Sequence, residues 1–553
     1  MSNKPPLREL PIKTADKGFY EGFSVDVTVT SKLIVGGLVL WAVAFPDQAG
    51  GVLAGLNSLI LANFAAWYIY VMAAFVLACI GLVFWPAAAR LKLGGAEDTP
   101  EFSRFSWFSM MFGAGIGVGM LTWAIAEPIY HFKNNPEVIQ GLAASAQMDN
   151  YLYAYKWSFL HWGFTAWACF AITGLGMAFF AYRRGLPLTI RSALAPLFGE
   201  KLSGPVGHAI DIFAVIATIL GVAQMLGFGV NQFVSSMARV GFGDWLLNEQ
   251  GTASGLGVIV ALVIIMGAST LSAFSGVGKG IKWLSNINMV LSTLLLCFFL
   301  FFGSTWFGLN AFFNGLVTYV ADLPAMVLTV YRGDGVEGSA ATRLEGWQGA
   351  WSVFYWAWWV AFAPFMGMFI ARISKGRTIR EFVIGASIAP ALMCFVWFSF
   401  AGGTAIDMEL NGGANGAIFS APDGDKIFAM TELMLSPLLA WIMALLIVVL
   451  LMTYLVTSVD SAVLVVNTIN AAGDEGPKAR PHILFWGVAL GLVVAALLLV
   501  GGLKAIQTAM VIGALPFSVI MLLMCLALFK AIYRDGQRTR SGEHAEAAGG
   551  VSG

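Results

Sequence analysis

A chain of 553 residues that is 58% hydrophobic and only 11% charged, with a mean hydropathy of +0.79, lies far outside the range of water-soluble domains and describes a protein with many membrane spans. Its 31 basic and 31 acidic residues cancel, so the overall charge points to neither nucleic acid nor an anionic surface. The five cysteines (Cys79, Cys169, Cys297, Cys394 and Cys525) lie inside apolar runs at no metal-ligand or redox spacing and read as small buried hydrophobes.

In chain order, residues 1–30 form a polar segment containing Pro5, Pro6 and Pro11. It lacks the charged start, apolar stretch and cleavage site of a secretory signal, so the first apolar segment is expected to stay in the mature protein. Twelve apolar stretches of at least ~17 residues follow, centred on 32–46, 65–89, 106–131, 151–182, 208–236, 255–274, 285–315, 348–371, 380–402, 433–456, 483–502 and 506–530. With both termini placed in the cytoplasm, 24 of the 31 Lys and Arg residues fall inside and 7 outside. That bias supports an even number of spans in this orientation. Between spans seven and eight, Gly315 to Tyr331 is apolar but interrupted by Asp322 and Pro324, and reads either as a helix lying at the outer surface or as an ordinary amphipathic connector. The tail from Arg534 to Gly553 is polar and rich in Gly and Ala, the composition of a disordered segment.

Two spans are unusual. Trp356 to Arg372 carries Trp356, Trp358 and Trp359 on one apolar helix and then Pro364, which predicts a broken helix that is either a cation-binding cage or a tryptophan belt at the membrane interface. Span three carries Gly113, Gly115, Gly117 and Gly119, a run that permits unwinding and exposes carbonyls and amides, or else allows close helix packing. Spans three and eight each open a block of five, and unusual segments at corresponding positions of two halves mark a secondary-transporter site. On this reading spans one and two stand outside the repeat.

The runs Gly113-Ala-Gly-Ile-Gly-Val-Gly119, Ala126-Glu-Pro-Ile-Tyr-His131, His161-Trp-Gly-Phe-Thr-Ala-Trp167, Trp356-Ala-Trp-Trp359 and Phe369-Ile-Ala-Arg-Ile-Ser-Lys-Gly-Arg-Thr-Ile-Arg-Glu-Phe382 together resemble the betaine/choline/carnitine transporter (BCCT) family over about residues 20–533. The resemblance implies an all-α polytopic membrane protein of 12 transmembrane helices with a LeuT-like fold. Its expected divisions are a cytoplasmic segment (1–30), two additional helices (31–90), a first five-helix repeat (104–316), a periplasmic interfacial helix and loop (317–346), a second repeat (347–531) and a short cytoplasmic tail (532–553). It also implies a homotrimer in the bacterial inner membrane with both termini cytoplasmic, and a small zwitterionic quaternary ammonium or sulfonium substrate held in an aromatic box. Carried over by residue, the box is Trp162, Trp167, Trp358 and Trp359, with Trp356 on the same helix. Where betaine transporters of the family place a tyrosine and a further tryptophan, this chain has Phe170 and Phe362, so the substrate carboxylate is expected to rely on the backbone of Ala114, Gly115 and Gly117.

The resemblance also implies sodium as coupling ion, held by carbonyls of Gly113, Ile116 and Tyr454 and hydroxyls of Thr457 and Ser458; the alternative for these hydroxyls is bonding to their own helix. A further sodium site of the family looks incomplete, since Thr218 is followed one turn later by Val222, beside Phe365. Asp460 reads as a backbone-orienting carboxylate or a functional one, and Glu127 and His131 as an outer gate or a solvated helix end. No organic cofactor is expected, and no nucleophile–base set or HExxH motif suggests an enzyme. The expected function is sodium-coupled uptake of glycine betaine by alternating access, with dimethylsulfoniopropionate, choline or carnitine, or proton coupling, as alternatives. The short tail, with Lys530, Arg534, Arg538 and Arg540 offset by acids, predicts weak osmosensing.

Overall fold

The computed structural model describes residues 6–115, 117–275 and 282–541, and among them the chain is built of helices joined by short connections, with no strand. This follows from the solvent: in lipid a backbone polar group has no water to bond, and a helix satisfies its own. Ten helices among the described residues are long and apolar enough to cross a membrane. Two further crossings bring the number to twelve. Span three is described over Arg104–Gly115 and Gly117–Lys133, and the helical run Arg480–Ser541 turns back at Gly501 and Gly502, where Gly502 has φ 63°, a left-handed value that suits glycine.

The other spans are Val25–Ala44 (one), Pro46–Phe84 (two), Met148–Arg183 (four, interrupted at Gly163), Pro205–Arg239 (five), Gly255–Ser275 (six), Lys282–Phe302 (seven), Ala340–Arg372 (eight), Ile379–Leu410 (nine) and Pro437–Asn470 (ten). Burial separates the centre of the bundle from its rim: 94% of the apolar window of span eight and 89% of that of span four are inside the protein, against 33% for span one and 22% for span seven. Span eight packs along the second half of span four and against span five and the helical run Arg480–Ser541, while span four also packs on spans two and nine. Spans three, four, eight and nine, the first two members of each block of five, thus form one bundle, the grouping expected of a LeuT-like fold.

Four expectations change. Span eight is not broken at Pro364: Phe354–Arg372 is a continuous helix through it, and the irregularity is a widened π-type turn upstream, at Gly349–Val353. A proline inside a membrane helix is tolerated when close neighbours compensate the lost bond, and span five presses here, Gly221 lying against the backbone of Ala361 and Phe362. The glycine run of span three is mostly helical, entering through Gly113, Ala114 and Gly115 and resuming at Gly117; Ile116 lies outside the described residues. Span seven ends at Phe302, short of 315, and after Gly303 and Ser304 a separate helix runs from Thr305 to Met326, exposing Trp306, Phe313 and Val317. Finally, the last helix continues through the start of the polar tail to Ser541, held by an ion pair between Arg184 and the nearly buried Asp535; residues 542–553 lie outside the described residues.

Candidate functional site

Span four is interrupted immediately after Trp162, at Gly163, and span eight emerges from its widened turn immediately before Phe354. These two irregularities bring the tryptophans together. Trp358 and Trp359 are stacked in parallel (centroids 5.1 Å apart, 11°), and Trp162 meets both edge-on, at 6.3 Å and 5.0 Å. A second layer follows: Phe170 stands edge-on to Trp167 (5.5 Å) and Trp359 (5.8 Å) and reaches Phe362 at 6.3 Å. All of these rings are buried.

The indole N–H groups of the upper layer are turned outwards into the protein. Trp359 Nε1 donates to the His161 carbonyl (2.8 Å), Trp358 Nε1 to the Gly221 carbonyl (3.3 Å) and Trp162 Nε1 to Glu127 Oε2 (2.6 Å). What remains is ring surface, whose negative face attracts a cation that brings no N–H of its own. Trp356 does not join this cluster: among the described residues its ring contact is with His161, at 5.7 Å.

The glycines of span three make room for the site. A methyl group built on Gly119 would lie 2.6 Å from Trp162 Cη2, and one on Gly117 would overlap the Tyr454 ring of span ten. Tyr454 therefore lies against span three at Gly117. Its hydroxyl bonds Ser292 (2.5 Å). Thr457 Oγ1 donates to its own helix, at the carbonyls of Thr453 (3.0 Å) and Tyr454 (3.2 Å), and accepts from Asn288 Nδ2 (3.1 Å). Asn288 Oδ1 is buried without a hydrogen-bond partner, and Ser458 is buried one residue on. Of the expected donors, then, Gly113, Tyr454, Thr457 and Ser458 are described, and Asn288 of span seven is an oxygen that motif reading did not supply. The Thr218 hydroxyl bonds the Ala214 carbonyl at 2.8 Å.

Glu127 and His131 are not at a solvated helix end: both are fully buried, and Glu127 also bonds His161. Pro128 and Gly402 of span nine pack together beside them. Asp460 does more than orient its own turn, since its Oδ2 accepts from Ser272 of span six at 2.5 Å.

Tyr355 and Phe228 are the members of the site that sequence reading missed. Tyr355 stacks within 5.6 Å of Trp359 and precedes the tryptophan run by one residue, three before Trp358, which is the helical spacing that could have flagged it. Phe228 had no local signal. It touches Trp358 (5.9 Å) and Trp123 (5.3 Å) and lines a cavity of about 250 Å³ with Thr122, Gln232, Asp423 and Asp425. In the connection between spans nine and ten, burial pushes the Asp423 carboxyl up and the Lys426 ammonium down.

A helical membrane bundle with a buried cluster of aromatic rings where two irregular spans meet is the arrangement expected of a carrier for a small cationic or zwitterionic solute. Residues 26–537 match the model of the BCCT, betaine/carnitine/choline family transporter, and the chain belongs to this family; it is a multi-pass membrane transporter and not an enzyme. It is 36% identical over 536 residues to a glycine betaine transporter of Acinetobacter baylyi (96% of this chain, 76% of that protein). It is likewise 36% identical over 511 residues to the glycine betaine transporter OpuD of Bacillus subtilis (92% and 94%), and 35% identical over 511 residues to a glycine betaine/proline/choline transporter of Vibrio parahaemolyticus (90% and 88%). A solved Na+-coupled sialic acid symporter aligns with a TM-score of 0.44 at 12% identity, covering 83% of this chain and 86% of that one, a likeness too distant to speak to substrate or ion.

Proposed function

We propose that this protein takes up glycine betaine by sodium symport across the bacterial inner membrane, with both termini cytoplasmic. The observation that carries the reading is the outward commitment of the Trp162, Trp358 and Trp359 N–H groups, which leaves ring faces and no donors for a trimethylammonium head. The substrate carboxylate is assigned to the backbone around Ala114, Gly115 and Gly117. Sodium, as co-transported ion, is assigned between span three (Gly113, Ile116) and span ten (Tyr454, Thr457, Ser458). The seat of Tyr454 against Gly117 and the unpartnered Asn288 Oδ1 support this, since a hard cation seeks several oxygens. Binding of the ion and then the solute would shift the protein between outward- and inward-open states, with residues 104–316 and 347–531 as the two repeats.

A second reading, uptake of the sulfonium dimethylsulfoniopropionate, is favoured by Phe170 and Phe362, whose phenyl faces make the lower layer a weaker cation partner than indole. The helix Thr305–Met326, with its exposed Trp306, Phe313 and Val317, is assigned to the contact surface of a homotrimer.

The test is uptake of radiolabelled glycine betaine into proteoliposomes with and without a sodium gradient, competed by dimethylsulfoniopropionate, choline and carnitine. Gradient-dependent accumulation blocked best by unlabelled betaine supports the first reading; accumulation driven only by a proton gradient overturns its ion assignment.

A further inference from the structure

Outside the ring faces just described, Glu127 is the most densely bonded side chain near the site. Its Oε1 meets His161 Nδ1 at 2.6 Å and His131 Nε2 at 3.2 Å, while its Oε2 accepts from Trp162 Nε1 at 2.6 Å and from the Tyr355 hydroxyl at 2.5 Å. No part of it is exposed. These partners come from three spans and both halves of the chain: His131 from span three itself, His161 and Trp162 from span four, and Tyr355 from span eight. His161 Nε2 extends the network to Ser352, inside the widened turn of span eight, at 3.0 Å.

The geometry points to Glu127 as the positioning residue of the aromatic cage, a role that rests on the cage reading above. Trp162 is held at two places, by its N–H on Glu127 and by its six-membered ring against Gly119, so its face cannot turn relative to Trp358 and Trp359. The residue that presents Trp162, His161, also carries the carbonyl that anchors Trp359. One carboxylate thereby sets the mutual angle of the rings from both repeats. A buried acceptor surrounded by four donors is costly to remove, because each donor loses its partner in a place that water does not reach. Gln at this position keeps the shape and one acceptor oxygen, and either imidazole can change tautomer to accept from its amide.

The test is betaine binding to the purified full-length protein, followed by tryptophan fluorescence, together with uptake kinetics in proteoliposomes. Glu127→Ala is expected to raise the Kd for betaine at least roughly tenfold, Glu127→Gln by a smaller factor, and Tyr355→Phe by roughly threefold. In each the rise falls on KM, with the sodium half-saturation unchanged. A loss of maximal rate with KM unaltered in Glu127→Gln and Tyr355→Phe would mean a merely structural role and overturn the proposal. If Glu127→Ala does not fold, those two variants decide it. Trp359→Leu separates the two readings: if it leaves binding intact the cage itself is wrong, whereas if it weakens binding while Glu127→Gln and Tyr355→Phe bind betaine normally, only the positioning role fails.

Discussion

Spans three and eight occupy corresponding places in the two halves of this chain and solve the same problem differently. Span three passes the site by losing side chains: Gly117 and Gly119 let Tyr454 and Trp162 lie on its backbone. Span eight keeps its helix intact and adds bulk, carrying its irregularity in the turn at Gly349–Val353, so that Tyr355, Trp358 and Trp359 project onto one side. A concave half meets a convex half. The lesson is that corresponding spans of the two halves need not share one shape, only complementary surfaces.

That contrast makes graded predictions. Gly117→Leu is expected to reduce uptake to background, because the new side chain occupies the place of the Tyr454 ring and the packed interior cannot yield by that much; ordinary uptake by this variant would show that span three does not carry the close approach. Trp359→Leu removes a cage face and is expected to raise the KM for betaine about tenfold, in line with one desolvated cation–π contact. Thr457→Ala, on the span-ten side, is expected to raise the sodium half-saturation several-fold with little change in betaine affinity at saturating sodium; no change in sodium dependence would detach span ten from the ion.

Pro364→Ala is expected to leave uptake within about a factor of two, since the helix already runs through this position. A large loss would restore the proline as a working break. Smallest of all, truncation at Gly536 is expected to leave osmotic activation unchanged, read as betaine uptake across an osmolality series.

The sequence made the main features of this site legible because composition and aromatic spacing are local. Twelve apolar runs follow from chain hydropathy alone, and the grouping of Trp162 with Trp358 and Trp359 is what the family resemblance of the short motifs around them implies. What escaped depends on contacts between distant segments. Glu127 looked like part of a solvated helix end because its partners His161 and Tyr355 lie 34 and 228 residues away. Phe228 meets Trp358 only through the packing of span five. The break expected at Pro364 failed because proline chemistry is local while its compensation is not. The helix after span seven was placed too late because Gly303 and Ser304, a two-residue corner, interrupt a run whose hydropathy continues across them. The disorder expected of the tail was likewise read from composition, which carries no sign of the Arg184–Asp535 pair.

The free thiols give the molecule a practical property. Cys79, Cys169, Cys394 and Cys525 are buried and Cys297 is partly covered within span seven. The unaltered chain is therefore a quiet background for water-soluble, thiolate-seeking labels. A single cysteine placed at Ala253, on the rim of the cavity that holds Phe228, would report by its labelling rate whether that cavity opens to the aqueous phase as sodium and solute come and go.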